Sequence, residues 1–221
     1  MFNHIRHEFP SMLTENMNGG RVYVTPEGNR YPSVTTVLQE HSRKAITEWR
    51  KKVGEKKADA VTRKAHTRGT SVHAAIEKYL NNEDMASVNM LPHAKAVYIH
   101  MKKVLDDHVN NIHCLETSMF SDQLRLAGTV DCIAEYDGKL TVIDFKTSTK
   151  LKRKEWIANY FMQLAAYGTM FEEHTDLKIE QGIIIIGVDN CQFAQIMKVN
   201  PFEYLDGLKT YIDKYANRQA A

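Results

Sequence analysis

The sequence predicts an α/β fold: a central mixed β-sheet flanked by helices, with a helical N-terminal part closing over one end. Three observations predict it. Asp137-Gly138 parts two apolar, β-branched runs, a strong hairpin signal. Gln181-Gly182-Ile183-Ile184-Ile185-Ile186-Gly187-Val188 is apolar almost throughout, as in a strand covered on both faces. Stretches before and between these strands carry apolar residues at helical spacing.

Residues 1–20 are mixed and polar, end in Asn18-Gly19-Gly20, and are expected to be partly flexible. Residues 21–24 and 30–31 flank Pro26-Glu27-Gly28-Asn29 and read as a small hairpin. Ser33 fits the N-cap of a short helix through Leu38. A second helix follows over 43–53, with Ile46, Trp49, Arg50 and Val53 at helical spacing and Trp49 in the core. From Glu55 to Leu80 the pattern is helical, interrupted at Gly69, with Val72, Ala75, Ile76, Tyr79 and Leu80 as its apolar stripe. Residues 93–109 form another helix. Strands follow over 112–120 and 124–136, turning at Ser121-Asp122-Gln123, with a third after Asp137-Gly138. A helix over 155–173 presents Trp156, Tyr160, Gln163, Leu164 and Tyr167. The strand over 181–188 pairs with 193–199 across Asp189-Asn190, and a last helix runs from near Pro201 to Tyr215. No repeat or low-complexity linker divides the chain. Residues 1–221 are expected to be one domain, with 1–110 as hairpin and helical part and 111–221 as sheet core.

At 221 residues the chain can bury one sizeable core. Net charge is only +2, so any field that attracts nucleic acid must come from local clustering. Cys114, Cys132 and Cys191 are scattered, without the spacing of a zinc site or a disulfide framework. No signal-peptide pattern and no bilayer-length apolar run occurs. A reducing, intracellular (cytoplasmic) setting is expected, with no membrane partner.

The chemistry concentrates around the Asp137-Gly138 hairpin. Asp131 lies near the start of its first strand and Asp144 near the end of its second, so an antiparallel pair brings both carboxylates to one end of the sheet. Side chains alternate along a strand, so Asp144 and Lys146 point the same way. Two carboxylates hold a hard cation such as Mg²⁺, which keeps several waters. Such a cation polarises a phosphoryl oxygen, and a lysine beside it orients water or steadies developing negative charge. These residue types suit metal-assisted phosphodiester hydrolysis; a surface hairpin with charged ends is the plainer reading. Thr147-Ser148-Thr149-Lys150-Leu151-Lys152-Arg153-Lys154 places hydroxyls and four basic residues after the site, as a phosphate-binding edge or as a solvated loop. Gln163 and Tyr167, four apart, share a helical face that offers polar groups to phosphate, with a core-facing Tyr167 as the alternative. His73 and Glu77 likewise share a face.

Gly128-x-x-Asp131 and Asp144-Phe145-Lys146 resemble the core motifs of the PD-(D/E)xK nuclease superfamily in its RecB-like branch. Arg68-Gly69-Thr70-Ser71-Val72-His73-Ala74-Ala75-Ile76-Glu77 is similar to that branch's helical histidine motif, and Gln163-Leu164-Ala165-Ala166-Tyr167 to its Gln-x-x-x-Tyr motif. Tyr31-Pro32-Ser33-Val34-Thr35-Thr36-Val37-Leu38 resembles phage exonucleases related to the mitochondrial genome maintenance exonuclease. The resemblance implies a restriction-endonuclease-like core and a Mg²⁺- or Mn²⁺-dependent deoxyribonuclease. Asp131, Asp144 and Lys146 would be its catalytic residues. His73, Asp131, Asp144 and the Phe145 carbonyl would hold metal, with Glu116 as a further ligand or neighbour and Glu77 behind them. Arg68, Thr147, Ser148, Lys150, Lys152, Arg153, Lys154, Gln163 and Tyr167 would face DNA. Some relatives carry an iron–sulfur cluster on four cysteines; three cannot supply that set, so none is expected. The exonuclease resemblance implies single-stranded DNA with free ends, with the helical N-terminal part as an arch over the strand. A structure-specific endonuclease and a non-catalytic DNA-binding module of the same fold are the other readings.

Overall fold

The computed structural model describes residues 1–17 and 20–220. Asn18 and Gly19, part of the stretch expected to be flexible, lie outside the described residues. Just before them the expectation is corrected: Leu13–Met17 is a strand, β1, paired with β2 (Gly20–Val24), which pairs in turn with β3 (Arg30–Pro32).

Two long helices follow, α1 (Val34–Val53) and α2 (Glu55–Leu80). The Ser33 hydroxyl caps α1 by accepting from the Thr36 N–H, as its sequence requires. The two short helices expected here are one, because polar Gln39 to Ser42 break the apolar stripe without breaking the helix. Only Gly54, at φ 84°, ends it. Nor does Gly69 interrupt α2. Glycine costs a helix interior about 1 kcal/mol, which tertiary packing along this helix offsets. Ile46 is exposed and Trp49 only half buried, so the expected core position of Trp49 is also corrected.

After α3 (Pro92–His108) come β4 (Val109–Ser121), β5 (Leu126–Tyr136) and β6 (Lys139–Ser148). Asp137 and Gly138 between the last two take φ 52° and 74°, the positive pair that a two-residue hairpin loop needs. Then follow α4 (Ala158–His174), β7 (Gln181–Val188), β8 (Ala194–Val199) and α5 (Leu205–Gln219). These strands form a five-stranded sheet in the order β4-β5-β6-β7-β8. The sheet is mixed because β6 and β7 run parallel and the other neighbours antiparallel. A parallel pair needs a long crossover, and α4 supplies it.

Both faces are covered. Val72, Ile76, Met101 and Leu105 of α2 and α3 pack on Ile143, Phe145, Ile183 and Ile185. Phe161, Leu164 and Met170 of α4, with Val34 and Val37 of α1, pack on Val142, Ile184 and Ile186. The alternation of Ile183 to Ile186 between the two cores is the period of two expected of a strand. The N-terminal segment staples α2 to the sheet. Ile5 N–H donates to the Ile112 carbonyl at 2.8 Å, while the Asn82 side chain, just past α2, takes the Phe2 N–H at 2.7 Å. Among the described residues no helix is long and apolar enough to cross a membrane.

Candidate active site

The site opens where the sheet loses its regular pairing. The β5–β6 ladder runs from Tyr136↔Lys139 to Cys132↔Ile143 and stops. At the next position Asp131 Oδ2 accepts the Phe145 N–H at 2.8 Å, so a side-chain carboxylate replaces a backbone acceptor. On the other side of β5, Leu115 pairs with Cys132 and Thr117 with Val130, leaving Glu116 opposite Asp131. Met119, three residues further along β4, is the one that pairs with Gly128. Glu116 is left-handed, with φ 45°, at a cost on the order of 1 kcal/mol. Val130 and Ile133 face the same core although three apart, so side-chain alternation breaks at this pair.

The irregularity gathers charge. His73 Nδ1 lies 3.7 Å from Asp131 Oδ2. Ligand atoms of His73, Glu116 and Asp131 lie within 4.8 Å of one another, close enough to share one cation. Glu116 keeps contact with solvent, yet its carboxyl is pushed up to about 7. Loss of water around the carboxylate does most of this, and Asp131, Glu77 and Asp144 add to it.

Asp144 is 1% exposed. Its two oxygens each lie 2.5 Å from Lys146 Nζ; Oδ1 takes the hydrogen bond and buried Oδ2 is left without one. Burial raises the Asp144 carboxyl to about 7, against the pull of Lys146 and with the push of Asp131. Burial alone would lower Lys146, but Asp144 and then Asp131 outweigh it and hold its ammonium above the ordinary range. Lys146 Nζ also stands 5.1 Å from the centre of the Tyr160 ring, a neighbour to which the sequence reading gave no role. Three carboxylates therefore share a small volume with one ammonium, and one buried acceptor lacks a donor. Hard oxygens plus one imidazole fit a divalent cation.

The remaining expected residues divide. Thr147 faces the helical motif: a Cβ on Gly69 would sit 3.8 Å from its Oγ1. Lys150, Arg153 and Lys154 are exposed and Lys152 half exposed, as a phosphate-binding edge requires. Ser148 is corrected to a turn-former. It is buried, donates to the Lys150 carbonyl at 2.7 Å and accepts the Lys150 N–H. Arg68 is corrected too. It is 3% exposed and donates to Asp189 Oδ2 at 2.6 Å, tying α2 to the end of β7 rather than facing solvent. Tyr167 is the core-facing alternative. Burial first, then Asp131 and Asp144, push its hydroxyl far above the ordinary range, with Gln163 beside it and also buried. The ring explains the glycine of the first motif: a Cβ on Gly128 would lie 3.0 Å from the Tyr167 Oη and Cε1.

The largest basic feature lies elsewhere. Residues 43–67 hold nine Lys or Arg and three Asp or Glu, out of 29 and 27 in the chain, so they carry net +6 and the remainder net −4. They form the far halves of α1 and α2, and most are exposed. From Glu55 to His73 an α-helix spans about 27 Å, so this helical hairpin stands well out from the site. Its charges were legible in the sequence but divided between two helices.

A mixed five-stranded sheet, an Asp pair at its splayed seam and a lysine on the second Asp define a nuclease-type site. The chain belongs to the PD-(D/E)XK nuclease superfamily, whose sequence model matches residues 89–219. That match takes in Glu116, Asp131, Asp144 and Lys146 and leaves His73 outside. The chain is 29% identical over 171 residues to mitochondrial genome maintenance exonuclease 1 of Homo sapiens, an alignment covering 72% of this chain and 49% of that protein. For the Mus musculus protein the identity is 28% over 171 residues, covering 72% and 50%. For that of Xenopus tropicalis it is 27% over 168 residues, covering 70% and 48%. The chain thus spans about half the length of the curated relatives it matches.

Proposed function

We propose that the chain is a divalent-metal-dependent deoxyribonuclease that hydrolyses phosphodiester bonds from free ends, with a preference for single-stranded DNA. One observation carries the chemistry: Glu116, Asp131, buried Asp144 and Lys146 converge at one opening of the sheet, beside His73. A purely binding module has no use for three carboxylates facing an anionic polymer. The end preference rests on the exonuclease relatives, and the strand preference on the family resemblance of the sequence motifs.

His73, Glu116, Asp131 and Asp144 would hold the cation, with the Phe145 carbonyl as a further ligand. When bound, Mg²⁺ or Mn²⁺ supplies Lewis-acid polarisation of the phosphoryl oxygen and makes water more acidic. Asp131 orients the site by gripping the Phe145 N–H. Lys146, set by Asp144 and Tyr160, holds the attacking water and steadies the negative charge that builds on phosphorus-bound oxygen. The basic hairpin of residues 43–67 and Lys150, Lys152, Arg153 and Lys154 attract the phosphate backbone. Residues 1–221 act as one unit, because α2 carries both the end of the hairpin and His73.

Incubating linear single-stranded, linear duplex and circular single-stranded DNA with Mg²⁺, Mn²⁺ or EDTA tests this reading. Metal-dependent loss of linear single strands alone is expected. Cleavage of the circle would replace the exonuclease with an endonuclease, and binding without cleavage would leave a non-catalytic module.

A further inference from the structure

Past the end of β6 the chain makes one 3-10 turn, Lys154–Trp156, before α4 begins. Trp156 stands there 63% exposed. The backbone that presents it is held at several points. The Trp156 backbone N–H donates to the Arg153 carbonyl at 3.0 Å. Gln195 of β8 clamps the preceding backbone, accepting the Lys152 N–H at 2.9 Å and donating to the Lys152 carbonyl at 2.8 Å. Ile157, the next residue, is fully in the core. An indole left in water forgoes the stabilisation of burial, and here a pinned turn keeps it there.

Its neighbours are cations. The Arg153 guanidinium lies 5.2 Å from the Trp156 ring centre. Lys154 stands 5.9 Å from the Phe161 ring and Lys146 5.1 Å from the Tyr160 ring. Of these three rings paired with cations, Phe161 is in the core, Tyr160 is half buried and Trp156 is largely bare. Cations for phosphate beside a free aromatic face are the parts of a single-strand site.

We propose that Trp156 is a base-stacking platform, whose free face receives one unpaired nucleobase near the cleaved bond while Arg153 and Lys154 take the flanking phosphates. The inference rests on the nuclease reading and deepens it. A base inside a duplex already has both faces stacked, so the ring selects single strands or opened ends. Every base has a π-face, so it adds little sequence preference.

The chain has two tryptophans, so Trp49→Phe leaves Trp156 as the sole indole reporter. In EDTA, this protein is titrated with single strands in which one abasic residue is moved stepwise along the chain. Saturating strand should quench the indole emission, and an abasic residue at one position should abolish the quench and weaken binding by about 5- to 150-fold. Adding Trp156→Ala should weaken binding of the intact strand by a similar factor and make all abasic strands equivalent, while Trp156→Phe restores most of the affinity. A blunt duplex should bind without quenching. Tight strand binding with unchanged emission, or an abasic effect that survives Trp156→Ala, overturns the platform and leaves the nuclease reading standing. Failure of every strand to bind overturns both.

Discussion

Residues 43–67 hold net +6 on two helices that stand in water, whereas Glu116, Asp131 and Asp144 hold three carboxylates together at a seam of the sheet, one of them 1% exposed. The hairpin's charges are solvated, so their exact placement hardly matters, and pairs such as Lys51 with Glu48 contribute at most about 1 kcal/mol. The carboxylates are partly stripped of water and repel one another, so they persist only because a packed sheet holds them. Long-range attraction of a polyanion asks for charge at a distance, while chemistry on one phosphate asks for atoms fixed to fractions of an ångström. The molecule places each demand where its cost is lowest.

Breaking the sheet site should have the largest effect. Asp144→Asn keeps the shape and removes one charge. Cleavage should fall on the order of 10³-fold or more, and the rise in thermal midpoint on adding Mg²⁺ should shrink. The metal-free variant should be as stable as the parent, because relief of the buried charge, and then of repulsion with Asp131, offsets the lost pairing with Lys146. Near-normal cleavage would remove the metal site from the mechanism.

Lys146→Ala should come next, with cleavage down on the order of 10²-fold while calorimetric metal binding persists, since an ammonium repels a cation. Disappearance of metal binding along with cleavage would recast Lys146 as a residue that merely holds Asp144.

Arg68→Ala sharpens the boundary between the two regions. The residue looks like another hairpin cation in sequence but is buried against Asp189. Its removal should cost about 3 kcal/mol of stability in chemical unfolding, with the salt dependence of DNA binding unchanged. A shallower salt slope at normal stability would return it to the DNA-facing set.

The smallest single effects should come from the solvated cations. Replacing Lys51, Lys52, Lys56 and Lys57 by Ala should lower the slope of log K against log salt by roughly 0.7 for each phosphate that is no longer neutralised, with cleavage at saturating DNA nearly intact. Replacing Lys150, Lys152, Arg153 and Lys154 should lower it similarly. An identical slope in the first set would make the hairpin a structural appendage.

Much of the site was legible because its signals are local. Asp137-Gly138 sets a turn by its own backbone preference, and the turn brings Asp131 to Asp144. Alternation alone puts Lys146 on the side of Asp144, where the ion pair forms. The register that sets Glu116 opposite Asp131 was not legible, because on an irregular strand it depends on the left-handed residue itself. Arg68, Ser148 and Tyr167 were read as DNA-facing from motif resemblance or residue type, and neither says which neighbour arrives from across the fold.

The sequence by itself determined most of the elements, though not β1 or the continuity of α1, together with the order of the strands around the turn and the acid-rich, lysine-bearing motif, since caps, turns and periodicities act over a few residues. Only the tertiary structure decided which of the cations face water, that His73 and Glu116 close on Asp131 from opposite elements, and that Asp144 is sealed beside Lys146. Burial and charge coupling depend on contacts between residues far apart in the chain, such as Arg68 with Asp189 or His73 with Asp131, and no local preference encodes those.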